Sequence, residues 1–259
     1  MSQSDPIRDN YYSKLQIADN ANNWLFAIGA LLSFAGLFVE QGSWPRAYTI
    51  VQVAFSLVAA GLFILGLFSR LYFFPRAENR RRQDFFSHAY KVPLSHEATD
   101  GYYNNRQVDP IRRLAAQTLE NSLFTKRITL EMARRARCIA AAYLLIWLGC
   151  AISQRFDVGI IVAMAQVVLS EQIIARLIRL EWLRSQSEQV FEGLYSLFHT
   201  APTDAAVFAA TALHQLGIYE AAKVNAAMLL DSKVFERLNP TLSAEWSDIQ
   251  ITLKLASHP

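Results

Sequence analysis

The chain has 259 residues, 53% of them hydrophobic and 18% charged, with a formal net charge of +3. The apolar excess collects in two pairs of long runs instead of spreading along the chain, which points away from an ordinary soluble domain and towards a membrane protein. A helical hairpin buried in a soluble core is the competing explanation, and the charge distribution described below disfavours it.

Residues 1–23 are polar. Ile7, Tyr11, Leu15 and Ala18 recur at helical spacing, so a short cytoplasmic helix is expected, lying on the bilayer or on the cytosolic part of the chain. Asp5, Arg8, Asp9, Lys14 and Asp19 mix signs ahead of the first apolar run, and no small-residue cleavage site follows it, so a secretory signal is not expected. Residues 24–72 read as a first transmembrane hairpin, with spans over Trp24–Val39 and Tyr48–Phe68. Gly29, Ser33, Gly36 and Glu40 share one face of the first span. Small residues so spaced let two helix backbones approach, either between subunits or within the hairpin. Residues 40–45 form a short outer turn, with Trp44 and Tyr48 at the outer interface. Thr49, Gln52, Ser56 and Ala60 line one side of the second span. Tyr72, Phe73 and Phe74 mark the inner interface, Arg70 reaches the headgroups, and Pro75 is expected to break the helix.

Residues 73–137 form a basic block, and the chain is organised around it. Between Arg70 and Arg137 stand fourteen basic and seven acidic residues, a net of +7. Cations crowded beside hydrophobic spans place a loop on the cytoplasmic side. Within the block, Glu78–Tyr90 reads as a helix, and Lys91–Asn105 as irregular, with an Asp100-Gly101 turn. Asp109 caps a further helix with Pro110 in its first position. Its apolar pattern runs through Leu114, Leu119, Leu123 and Ile128 and on towards the third span. Residues 138–176 read as the second hairpin, with spans at Cys138–Ser153 and from Val158 onward, joined by a turn at Gln154–Asp157. Cys138 and Cys150 fall on one helix, twelve residues or about 18 Å apart, too far for a disulfide. Residues 177–259 read as a helical stalk followed by a tail. In the tail Thr203 caps one helix, Gly217 ends it, and Ile218–Leu230 forms a second. The expected fold is therefore an all-α membrane protein: two transmembrane helical hairpins, four spans in all, with a cytosolic helical insertion and a C-terminal helical tail, both termini cytoplasmic.

His88, His96, His199, His214 and His258 are scattered, with no catalytic partner at a recognisable spacing. There is no metal-ligand spacing and no glycine-rich phosphate loop, so an enzyme is disfavoured and no cofactor is expected. Polar residues inside the spans are more informative. Gln52 and Ser56 on the second span, and Gln166 and Ser170 on the fourth, are costly in lipid and face protein or water, whereas Glu171 is expected at the inner membrane boundary, where a carboxylate is cheap and Arg176 helps neutralise it. In a homo-oligomer they would line a pore; interhelical hydrogen bonding without conduction accounts for them equally well. In the basic block Tyr102, Tyr103, Asn104, Asn105 and Arg106 combine aromatic faces, amides and a cation. Arg112, Arg113, Lys126 and Arg127 follow closely. Aromatics stack bases, Asn bonds their edges, and Arg pairs with phosphates, so the mixture suits a small nucleotide. Composition by itself favours cations facing lipid headgroups.

Asp84-Phe85-Phe86, Gly101-Tyr102-Tyr103-Asn104-Asn105 and Glu120-Asn121-Ser122-Leu123-Phe124-Thr125-Lys126-Arg127 resemble the central region of the SMODS-associated four-transmembrane effectors. The likeness covers roughly residues 80–137 and the paired-hairpin layout, and does not extend to the tail after Thr200. It implies a bacterial inner-membrane effector of CBASS-type anti-phage defence. Such an effector forms pores when a cyclic nucleotide made by a partner synthase binds on the cytosolic side; no nucleic-acid polymer is implied. The alternative is a membrane-anchored scaffold whose cytosolic helices recruit a partner protein.

Overall fold

The computed structural model describes residues 5–97, 99, 107–153, 158–168 and 170–255. Among these it holds eight α-helices and no strand: α1 (Ser13–Phe38), α2 (Pro45–Phe68), α3 (Phe74–Tyr90), α4 (Pro110–Ser153), α5 (Val158–Val168), α6 (Arg176–Thr200), α7 (Ala205–Ala226) and α8 (Ser232–Thr252). Three π-helical turns, Arg8–Tyr12, Ser69–Phe73 and Glu171–Ala175, lie between or ahead of them. The helices form two units. One contains Ser13–Phe74 and Arg134–Ile178; the other contains Met1–Tyr12, Pro75–Ala133 and Arg179–Pro259.

In the first unit α1 and α2 pack antiparallel. A Cβ on Gly29 would stand 3.3 Å from Val58 Cγ1, one on Gly36 3.7 Å from Val51 Cγ1, and one on Gly61 3.7 Å from Leu25 Cδ1. The small-residue face of α1 is thus used within the chain, against α2. The Trp147 indole N–H on α4 donates to the Ile161 carbonyl on α5 at 3.1 Å. Most of the unit's large apolar side chains remain uncovered, among them Leu31, Ile50, Leu57, Phe63, Leu145 and Ile152. Such a surface is unfavourable in water and suited to lipid.

The second unit has a conventional core. Residues 113–119 of α4 are buried without interruption, so this helix runs through its centre. Leu119 and Leu123 of α4 meet Val190, Leu194 and Phe198 of α6, Phe208, Ala212 and Tyr219 of α7, and Trp246 of α8. Phe85 and Ala89 of α3 pack with Leu114 and Leu216. The buried hydroxyls of Thr118, Ser122 and Thr129 donate to carbonyls of their own helix and so leave no unmet donor.

Several expectations change. Pro75 does not end the helix. The π turn Ser69–Phe73 leads into α3, with the Phe74 N–H donating to the Ser69 carbonyl. Proline has no N–H to continue the α pattern, and the wider turn accommodates that loss. The stalk beyond the fourth span is not a free rod. The π turn Glu171–Ala175 intervenes, and Leu180, Leu183, Val190 and Leu194 of α6 are buried. In the tail Asp204 caps α7 in place of Thr203, accepting from the Ala206 N–H. Gly217 lies inside α7, and the helix ends at Ala227 in the left-handed conformation. Asp231 caps α8, which the sequence reading missed and which carries Pro240 in its interior.

Candidate functional site

Tyr102, Tyr103, Asn104, Asn105 and Arg106 lie outside the described residues. The four cations that follow them are placed, and the fold does not gather them into one site. Arg112 and Lys126 are fourteen residues apart on one helix, about 21 Å. The Arg112 guanidinium stacks 4.7 Å over the Phe208 ring. Arg127 pairs with Glu245 of α8 at 2.7 Å. The Lys126 ammonium stands 3.4 Å above the Phe191 ring. Its partial burial, and then the neighbouring Arg127 charge, hold its pKa below the usual lysine range.

Arg113 is 5% exposed, and its guanidinium donates to three backbone carbonyls, those of Gln107, Ala89 and Val108, at 2.8, 2.7 and 2.9 Å. These bonds tie the end of α3 and the residues before α4 to α4 itself. This is an architectural assignment for a residue expected among the ligand cations. The Asp109 cap and the continuous passage of α4 towards the third span are as expected. The Asp109 carboxylate accepts from the Arg112 N–H at 2.8 Å.

The best-connected polar cluster of this unit was not apparent in the sequence. The Tyr12 hydroxyl donates to Glu78 Oε1 at 2.6 Å. Lys223 Nζ lies 2.7 Å from Glu78 Oε2 and 3.0 Å from Glu220, which also pairs with Arg82 at 2.9 Å. Burial pushes the Glu78 carboxyl up, but Lys223, Tyr12 and Arg81 together outweigh it, and the net shift is downward. Burial likewise opposes the charge on Lys223, and Glu78 and Glu220 reverse it, leaving the ammonium well above its ordinary value. Tyr219, its hydroxyl 2.8 Å from Thr125, is pushed up to about 12 by burial. Through this cluster, the Asp5–Arg81 pair at 2.7 Å and the buried Ile7, the N-terminal segment is held by this unit's helices. A second missed pair, Asp84 and His88, stands one turn apart on α3, with His88 Nδ1 3.4 Å from Asp84 Oδ1.

On the spans, Gln52, Ser56 and Gln166 are exposed within the chain. The hydroxyls of Thr49 and Ser56 donate to the carbonyls of Pro45 and Gln52 at 2.9 and 2.8 Å, so neither needs an outside partner. Gln52 and Gln166 present their amides outward. Ser170 lies at the break after α5, and Glu171 opens the π turn that follows. Cys138 and Cys150 both lie on α4, and neither forms a disulfide. Among the described residues no group of three His, Cys, Asp or Glu side chains is placed to hold a metal ion.

The class that these features define is an all-helical protein with four stretches long and apolar enough to cross a membrane, compatible with a multi-pass membrane protein. No family model matches the chain, and comparison with curated proteins and with solved structures yields no match.

Proposed function

We propose that the protein is a bacterial inner-membrane effector. Its two transmembrane hairpins assemble with those of further copies around a conducting path, and a cyclic nucleotide bound to the cytosolic helices opens that path. The observation that carries this reading is α4. One unbroken helix of 44 residues supplies the central core segment of one unit, Arg113–Ala133, and then the apolar, uncovered Ile139–Ile152 of the other. A helix resists compression, so a displacement at its buried end is delivered to its lipid-suited end. The outward amides of Gln52 and Gln166 support assembly: in hydrocarbon they lack partners unless water or another subunit provides them. The resemblance of residues 80–137 to the four-transmembrane effectors supplies the class of signal. The ligand must prefer the conducting state, since equal affinity for both states shifts nothing.

The buried tail bears on the scaffold alternative. Phe208, Tyr219 and Trp246 sit in the same core as Leu119 and Leu123, so α7 and α8 pack into one unit with α4, which favours the effector reading over a detached recruiting tail. Equilibrium dialysis of the purified full chain against cyclic di- and trinucleotides tests the reading. Saturable binding weakened at least tenfold by Tyr103→Ala or Arg106→Ala is expected. No binding of any such nucleotide to the inserted, folded protein would overturn it.

A further inference from the structure

The surroundings of His88 are those of an imidazolium. Its Nδ1 is 3.0 Å from the Asp84 carbonyl and 3.4 Å from the Asp84 carboxylate, and its Nε2 is 3.1 Å from the Thr99 carbonyl. Every one of these partners only accepts hydrogen bonds. A neutral imidazole carries one N–H, so it would turn a bare nitrogen lone pair towards an oxygen; only the doubly protonated ring satisfies both sides. The Asp84 carboxylate is fully buried and accepts from the Thr99 N–H at 3.1 Å and the Thr99 hydroxyl at 2.7 Å. His88 is the cation one turn away that offsets its burial. Thr99 is therefore fastened to α3 three times, twice through Asp84 and once through His88.

We propose that protonated His88 is a pH-dependent clamp that fastens Thr99, and with it the segment after α3, to Asp84, and that loss of one ring proton as pH rises releases this segment. The inference does not depend on the nature of the ligand or on conduction.

The electrostatics agree in sign. The Asp84 hydrogen bond holds the His88 pKa above its ordinary 6.5. Burial raises the Asp84 carboxyl, but His88 and Thr99 outweigh burial and hold it below its ordinary 3.8. A raised histidine contributes stability in full below 6.5 and loses it as pH climbs through the folded-state value. A depressed aspartate contributes above 3.8 and loses it as pH falls through its own. The clamp is closed between these limits and opens on the alkaline side. From α4, Arg113 brings a permanent cation to the carbonyl of Ala89, the residue next to His88. On the segment itself, Glu97 accepts from Asn10 at 3.1 Å.

The test uses the full chain in nanodiscs, with nitrogen-15 histidine labelling and amide exchange followed from pH 5.5 to 9.5. The His88 signal is expected to report two N–H groups at pH 6.5 and to titrate above that value. Exchange at Thr99, corrected for the intrinsic pH dependence, should accelerate about tenfold across the same titration, the effect of losing charge-assisted hydrogen bonds. In His88→Gln the step should vanish, with the segment already unprotected at pH 6. A single N–H on His88 at pH 6, titration at or below 6.5, or an unchanged exchange step in His88→Gln would each overturn the proposal. The first two readings need only the wild-type chain.

Discussion

Arg113 shows how a residue's neighbours decide its role. In sequence it is one of two adjacent arginines close to an aromatic run, the composition of an anion site. In the fold its guanidinium donates to three backbone carbonyls, and its aliphatic stem is buried. Arg113→Ala is therefore expected to destabilise the unit that α3 and α4 share by about 2–4 kcal/mol, the cost of leaving buried acceptors unmet. Arg112→Ala, which removes one stacking contact with Phe208, should cost about 1 kcal/mol or less. Thermal unfolding in detergent orders the two variants, and equal melting temperatures would contradict this assignment. Glu120 gives the opposite case. Burial alone raises its carboxyl to about 7 from an ordinary 4.5. A raised acid stabilises the fold below the unfolded-state value, and that contribution is lost as pH climbs through 7. Glu120→Gln should thus leave the melting temperature near wild type at pH 5. At pH 8 it should raise stability by about 2–3 kcal/mol. The same shift at both pH values would show that the carboxyl is not the cause.

At the scale of elements, the hydrophobic pattern predicted α1, α2 and the long passage of α4, because length and apolarity are properties of the residues themselves. What it could not supply was the partner of each face. The Gly29, Ser33, Gly36 stripe signals close approach whether the approaching helix is the next one in the chain or belongs to another copy. The 3.3 Å space at Val58 makes it the next one. Gly29→Leu is expected to force α1 from α2 and reduce insertion, judged by the fraction of protein resistant to alkaline extraction from membranes. Wild-type levels with an intact oligomer would contradict an internal seam. Gly217 misled in the other direction. Glycine is a frequent helix terminator, but here it sits mid-helix with nothing within 4 Å of where a Cβ would be, at a cost of about 1 kcal/mol that the rest of α7 outweighs. Helix α8 escaped notice because Pro240 interrupts the pattern and few of its residues are buried. The Asp84–His88 pair was legible in principle, since four-residue spacing on a helix brings side chains together. The Glu78–Lys223 pair was not, since 145 positions separate the partners and only the packing of α3 against α7 joins them.

At the scale of the whole molecule, the chain passes four times between its two units. Three passages run beside π turns, at Arg8–Tyr12, Ser69–Phe73 and Glu171–Ala175, and the fourth is the uninterrupted α4. π turns break the regular ladder of a helix and recur at functional sites. In the proposed gating, α4 is the connection assigned to transmit movement. The central claim is that a cytosolic nucleotide signal is converted into membrane permeability. It is tested most directly by following membrane potential in bacteria that express this chain with a cyclic-oligonucleotide synthase, active or catalytically inactive. The account predicts depolarisation within minutes with the active synthase alone, lost in Tyr103→Ala and reduced in Gln166→Leu at equal levels of inserted protein. A membrane potential that stays unchanged while the nucleotide accumulates and the protein is fully inserted would contradict it.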